Sequence, residues 1–173
     1  VRIIAGRWRG RRLKSVTGRK TRPTTDRVRE AWMSALGDRV LRAAVWDLYA
    51  GSGALGLEAL SRGAASVTFV DCARSALRVI RHNIELLGAQ DACTVVGDDV
   101  FRFLSRSPEP TDLALADPPY DRRDASRLVE LFVDEPFAKE LWLEHPWREK
   151  LLLPPDARTR RYGDTALTTL TAS

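Results

Sequence analysis

Val45-Trp46-Asp47-Leu48-Tyr49-Ala50-Gly51-Ser52-Gly53-Ala54-Leu55-Gly56 changes character within one short stretch of chain. Val45 to Tyr49 reads as a buried strand, and the small residues after it give way to a helical stretch over Ala54 to Ser61, ending near Gly63. Three glycines at a strand-to-helix turn let a ligand approach the backbone at a helix N-terminus, where amide groups and the helix dipole are exposed. Gly51, Ser52 and Gly53, with Tyr49 just before them, are therefore candidate cofactor contacts.

Working outward, the same alternation recurs. Further strands are expected at Ser66 to Val70, Thr94 to Val96, Leu113 to Ala116 and Leu141 to Glu144. Between them lie helices at Ala73 to Leu87, with Ala76, Val79, Ile80, Ile84 and Leu87 on one face, and shorter ones near 100–105 and 124–133. Continuous apolar strands alternating with helices imply a mainly parallel sheet covered on both faces, so the fold class is doubly wound, Rossmann-like α/β. Arg158 to Tyr162 and Thr165 to Leu170, around Gly163-Asp164, read as a C-terminal antiparallel hairpin.

Upstream, residues 2–16 read as a small β-ribbon bent around Gly6 and Gly10, and Thr24 or Thr25 can cap a helix carrying Val28, Ala31, Trp32, Ala35 and Leu36. The whole chain has a formal charge of +5, yet residues 1–22 hold seven Arg, two Lys and no acid, which is +9. The remainder has nineteen bases against twenty-three acids, a balance of −4. The expected division is a basic arm over 1–22 and a Rossmann-like domain over 23–173. Such an arm is the electrostatic footprint of a polyanion binder, because neutralised phosphates release counterions. Arg7, Arg9, Arg11 and Arg12 are its candidate phosphate contacts, the alternative being a solvated tail; Trp8 can either stack on a base or pack on its own domain.

Other classes drop out. With 173 residues and 44% hydrophobic content the chain can bury one sizeable core. It has no apolar run long enough for a bilayer and no signal-like start, so a cytoplasmic protein without membrane contact is expected. Cys72 and Cys93 lack close spacing and His neighbours, which suggests neither disulfides nor a metal site. His82 and His145 have no acid or nucleophile at triad spacing and do not look catalytic.

Asp71 follows the second strand, twenty residues after Gly51, where a carboxylate can accept hydrogen bonds from a ribose diol. A dinucleotide and S-adenosylmethionine both offer that ribose. Asp47 separates them: a carboxylate there would repel a pyrophosphate but attract an ammonium and a sulfonium, which favours S-adenosylmethionine. Asp99 and Val100, just past the third strand with Asp98, are placed to touch an adenine amino group.

Asp117-Pro118-Pro119-Tyr120 ends the fourth strand on the same carboxyl edge, where open α/β sheets bind ligands. The prolines fix φ and leave nearby carbonyls without local donors, so Asp117 Oδ and the Pro118 carbonyl can both accept from one exocyclic amino group. Such a clamp favours the tetrahedral, positively charged nitrogen that develops during attack on a methyl group, and Tyr120 can stack on the ring. The basic arm speaks against a protein glutamine substrate without separating RNA from DNA adenine. A nicotinamide-dependent reductase and a nucleic-acid-binding module with an idle glycine loop are the readings from other classes.

Arg2-Ile3-Ile4-Ala5-Gly6, Arg22 to Glu30, Asp47 to Glu58, Asp117 to Tyr120 and Tyr162-Gly163-Asp164 together resemble the bacterial small-subunit rRNA guanine-N2 methyltransferases over nearly the whole chain. The resemblance implies methyl transfer from S-adenosylmethionine to N2 of one guanine of 16S rRNA, in the small ribosomal subunit or its assembly intermediate, by a monomer. It also implies that the segment with Arg22 and Arg27 lies over the cleft. Between Tyr120 and Tyr162 only Glu144 matches.

Overall fold

The computed structural model describes residues 1–17, 25–107 and 109–173. Among them the strands are β1 (Ala44–Leu48), β2 (Ser66–Asp71), β3 (Cys93–Gly97), β4 (Thr111–Ala116), β5 (Ala138–Pro146), β6 (Arg158–Tyr162) and β7 (Thr165–Thr171). They form one sheet in the order β3-β2-β1-β4-β5-β7-β6. The first five pair in parallel, whereas β7 runs antiparallel to both β5 and β6. This is the expected doubly wound sheet with a terminal hairpin.

The helices are α1 (Thr25–Leu36), α2 (Ala54–Ser61), α3 (Arg74–Leu87), α4 (Val100–Arg106) and α5 (Asp124–Asp134). Val28 and Trp32 of α1, Leu57 and Leu60 of α2 and Ile80 and Ile84 of α3 share one core with Val45, Val67 and Leu115 of the sheet. Val100 and Leu104 of α4 and Leu128 and Phe132 of α5 cover the opposite face, against Leu48, Ala114 and Leu141. The β4 strand, buried from both sides from Leu113 onward, accordingly reads there as a continuous apolar run. None of the described helices is long and apolar enough to cross a membrane.

The largest departure from the expected bounds is β5, which begins at Ala138 instead of Leu141. Lys139 and Glu140 interrupt the apolar pattern, and both have partners, Lys139 Nζ lying 2.8 Å from Asp112 Oδ1 and Glu140 Oε1 3.3 Å from Arg39 Nε. A strand tolerates such residues where a charge of opposite sign stands next to it.

The N-terminal ribbon is minimal. Arg2 and Arg12 form a single antiparallel bridge, flanked by Ile3 N–H donating to the Arg11 carbonyl and Leu13 N–H to the Val1 carbonyl. Gly6 and Gly10 both adopt left-handed φ, at 86° and 84°, to turn the chain between the two arms. Gly6 has a second reason to be glycine, since a Cβ there would stand 2.0 Å from the Ser61 carbonyl oxygen.

That closeness reveals how the segment docks. Ile3, Trp8 and Leu13 are buried in the same core as Trp32 and Leu57. Glu58 of α2, itself inaccessible to solvent, accepts hydrogen bonds from Ile4 N–H at 2.7 Å and Ala5 N–H at 3.0 Å. Its charge is balanced by Arg62 at 3.0 Å and Arg29 at 3.7 Å. Ser61 Oγ donates to the Ala5 carbonyl and accepts from Trp8 N–H. Residues 1–17 are therefore strapped across the helices rather than set apart from the body. Trp8 packs inward with the Arg7 guanidinium 4.5 Å from its ring, which settles the choice between stacking on RNA and packing. The Thr24 cap and Arg22 lie outside the described residues.

Candidate active site

The carboxyl ends of β1, β2, β3 and β4 bring the glycine loop, Asp71, Asp98-Asp99 and Asp117-Pro118-Pro119-Tyr120 to one edge of the sheet. The loop is held from several sides. Ala50 N–H donates to the Val70 carbonyl at 3.0 Å, and Gly51 N–H to Asp71 Oδ2 at 2.9 Å. The other oxygen of Asp71 caps the start of α3 by accepting from Ala73 N–H at 2.9 Å. Asp71 is buried, and its backbone carbonyl accepts from Asp98 N–H, which joins the third strand's loop to the second's. These two bonds fix the carboxylate at the carboxyl end of β2, beside the glycine loop.

Asp47 is more deeply set than its reading as a cofactor contact suggested. It is 2% exposed, and its Oδ2 accepts from Gly56 N–H at 2.9 Å. A Cβ at Gly56 would stand 2.6 Å from Phe69, 2.8 Å from Val67 and 2.9 Å from that same oxygen, which explains the third glycine of the loop. Burial, together with the nearby charges of Asp117 and Asp71, pushes the Asp47 carboxyl well above the usual carboxylate range despite the Gly56 amide. Burial and the charges of Asp117 and Asp71 thus favour the protonated form of Asp47 at the head of the loop.

Tyr49 has left-handed φ, 58°, as the strand turns into the loop. Its hydroxyl donates to Asp124 Oδ2 at 2.9 Å, at the start of α5, and burial with this acidic partner raises its pKa. The ring face and backbone of Tyr49 are what it can offer a cofactor. Asp99 is the N-cap of α4, accepting from Arg102 N–H at 3.1 Å, while Val100 is buried beneath it. Asp98 faces Arg102 and Arg106, at 3.4 and 3.5 Å.

Past β4, Asp117 and Pro119 are exposed, Pro118 is buried and Tyr120 is half-buried. The Tyr120 hydroxyl lies 2.9 Å from Thr165 Oγ1, which ties the tetrapeptide to the beginning of β7. Arg7, Arg9, Arg11 and Arg12 are all exposed on the docked strap, and Arg27 is exposed in the first turn of α1.

Asn83 escaped the reading of the sequence. It is fully buried in α3, where its Oδ1 accepts from Lys14 N–H at 2.8 Å while its Nδ2 donates to the carbonyls of Lys14 and Ser52, each at 2.9 Å. One amide group therefore grips both the basic strap and the glycine loop. The available signal was a polar residue within the apolar stripe of Ile80, Ile84 and Leu87. His145 serves the hairpin instead: Nδ1–H faces the Pro146 carbonyl at 3.0 Å, Nε2 accepts from the Thr168 hydroxyl at 2.7 Å, and burial lowers its pKa.

The sheet order, the glycine loop and the strand-end acids define a Rossmann-like, S-adenosylmethionine-dependent methyltransferase. The site fits that cofactor by its acidic side chains: Asp71 stands beside the glycine loop, where a carboxylate would repel a pyrophosphate, and Asp47 ionises more readily next to a sulfonium and an ammonium. More particularly, the chain belongs to the family described as conserved hypothetical protein 95, whose profile matches residues 1–169. It is 40% identical over 134 residues to the ribosomal RNA small subunit methyltransferase D of Escherichia coli K12, covering 78% of this chain and 67% of that one. With the protein of the same name from Haemophilus influenzae it shares 33% identity over 142 residues, 80% of this chain and 74% of that one. A hypothetical protein of Thermus thermophilus superposes with a TM-score of 0.86 at 31% identity, covering 99% of both chains.

Proposed function

We propose that the chain methylates the exocyclic N2 of one guanine of 16S rRNA, in the small ribosomal subunit or its assembly intermediate. The observation that carries this reading is the placement of Asp117-Pro118-Pro119-Tyr120 beside an acid-lined glycine loop, with exposed arginines strapped to the same domain. Membership of the family, and relatives named as small-subunit rRNA methyltransferases, support it.

Bound S-adenosylmethionine supplies the methyl group and a sulfonium that becomes a neutral thioether on transfer. Asp71 holds the ribose hydroxyls; Gly51, Ser52 and Gly53 line the approach at the N-terminus of α2; Asp47 and Tyr49 close the head of the loop; Asp99 and Val100 bound the adenine. The guanine leaves its stack, as enzymes acting on a base require, and Tyr120 sets its plane. Asp117 and the Pro118 carbonyl accept hydrogen bonds from the two N2 hydrogens, with Pro119 keeping the turn rigid. This localises the lone pair that is otherwise delocalised into the ring and stabilises the positive charge developing on nitrogen. The one proton lost after methyl transfer passes through the solvent-facing Asp117 to water. Arg7, Arg9, Arg11, Arg12, Arg22 and Arg27 hold phosphates. We take residues 1–22 as the RNA-docking segment and 23–173 as the catalytic domain, acting in the cytoplasm as a monomer because one chain supplies every named group.

The decisive experiment is transfer of tritiated methyl groups to small subunits that lack modifications, followed by nucleoside analysis. The expected product is N2-methylguanosine in 16S rRNA. Label in adenine of DNA, in protein glutamine, or nowhere overturns the reading.

A further inference from the structure

The strap covers the side of the sheet that carries β1, β2 and β3, yet β4, whose end holds the tetrapeptide, is the middle strand of the order. On its other side lie β5, β7 and finally β6. This outer strand reads Arg158-Thr159-Arg160-Arg161-Tyr162, and its three arginines are exposed. Among the described residues none of the three is ion-paired with a carboxylate. Beside Arg161 lies Trp147, 43% exposed, with the guanidinium 4.9 Å from its ring centroid.

Charges on an edge strand have an ordinary explanation, since they prevent pairing with another chain. Protection of that kind works with either sign. Here the strand holds three arginines and no acid, and arginine is the residue that both grips phosphate with a planar fork and stacks on aromatic faces. An exposed tryptophan next to a guanidinium adds a stacking platform of the sort that single-stranded nucleic acid uses.

The edge also connects to the site. Tyr162 pairs with Thr165, and Thr165 Oγ1 lies 2.9 Å from the Tyr120 hydroxyl. Trp147 N–H donates to the Asp164 carbonyl at 2.8 Å, in the turn of the same hairpin. Three inter-strand steps from β4 to β6 amount to about 14 Å at ~4.8 Å each. That is roughly four nucleotides at about 3.4 Å of rise.

We propose that the β6 edge, Arg158, Arg160 and Arg161 with Trp147, is a second rRNA-docking surface, so that the substrate is gripped on both flanks of the catalytic strand. The inference rests on the reading of the chain as an rRNA methyltransferase. Charge reversal tests it, because Arg158→Glu with Arg160→Glu keeps the edge charged and protected while removing its attraction for phosphate. The full chain is titrated with unmodified small subunits across a salt series, and its affinity for S-adenosylhomocysteine is measured in parallel.

The expected result is roughly tenfold weaker subunit binding, with a salt dependence shallower by about 0.9 in log–log slope for each phosphate no longer neutralised. Cofactor affinity should stay at the parental value, and the loss in methylation should appear in KM. Trp147→Ala, the second variant, is expected to weaken binding with little change in slope, and it decides the matter if the double variant fails to bind S-adenosylhomocysteine. Parental affinity and slope in these variants would overturn the proposal and leave edge protection as the purpose of the arginines. If instead the parental chain binds subunits but transfers no methyl group, the reading of the activity fails and the docking surface stands.

Discussion

The two halves of the active edge are built in opposite ways. On the cofactor side Asp47 and Asp71 are buried, and each is fixed by backbone amides, Gly56 for one and Gly51 with Ala73 for the other. On the substrate side Asp117 and Pro119 face solvent, two proline rings restrict the backbone of the tetrapeptide, and the Tyr120 hydroxyl contacts Thr165. The difference follows from what each must receive. A small cofactor rewards a preformed cradle, whereas a base swung out of a large RNA needs an open approach.

The sharpest way to probe this contrast is Asp117→Ala, which removes one acceptor from the open half and leaves the cradle intact. Turnover should fall on the order of 10² to 10³, the usual loss when one electrostatic interaction with a transition state is deleted. Calorimetry with S-adenosylhomocysteine should register almost no change. Near-normal turnover would remove Asp117 from the clamp.

Asp71→Ala strikes the other half and should show the reverse pattern. Cofactor affinity is expected to weaken by roughly 1 to 3 kcal/mol through loss of a charged acceptor. Because Gly51 N–H and Ala73 N–H lose their partner as well, the melting temperature should drop together with affinity. Binding to small subunits should persist. Unchanged affinity would leave Asp71 as a loop anchor alone.

Much of this contrast can be read in the sequence, because periodicity and glycine spacing are local. The α2 helix spans Ala54–Ser61 as its pattern indicates, and the hairpin turn falls at Gly163-Asp164. Topology then places the tetrapeptide beside the loop, since both follow parallel strands of one sheet. What escapes is long-range and polar. Glu58, Ser61 and Asn83 anchor the strap through backbone groups more than fifty residues away, and no local pattern announces such partners. A basic segment therefore reads as separable when Arg7, Arg9, Arg11 and Arg12, among its described residues, are displayed on a docked scaffold.

This docking changes one expectation. Removing residues 1–14 would be harmless to the cofactor site if the segment were a free arm, but Asn83 holds Lys14 and Ser52 at once. Truncation should therefore weaken S-adenosylhomocysteine binding several-fold, besides flattening the salt dependence of RNA binding. Asn83→Ala, which leaves every arginine in place, should reproduce the cofactor effect and cost about 1 to 3 kcal/mol of stability, as unpaired buried groups do. Cofactor affinity that withstands both changes would mean that the strap and the loop are independent.

The smallest effect expected at neutral pH concerns Asp47, and it sharpens the comparison by asking what the cradle's negative charge is for. With its pKa raised in the folded protein, Asp47 binds a proton more readily there than in the unfolded chain. The cofactor-free protein should therefore lose stability as pH rises through the window between the unfolded and folded pKa values. A sulfonium and an ammonium near the carboxylate reverse the preference, since opposite charge favours ionisation. S-adenosylmethionine should thus bind more tightly as pH rises through that window, with proton release visible as a buffer-dependent heat. S-adenosylhomocysteine, which lacks the sulfonium charge, should show a shallower dependence. Asp47→Asn keeps a carbonyl acceptor for Gly56 N–H but cannot ionise, so it should raise the melting temperature of the cofactor-free protein and flatten both pH profiles. Identical pH profiles for the parental chain and Asp47→Asn would show that Asp47 acts only by holding the Gly56 amide, and the charge of the cradle would then rest on Asp71.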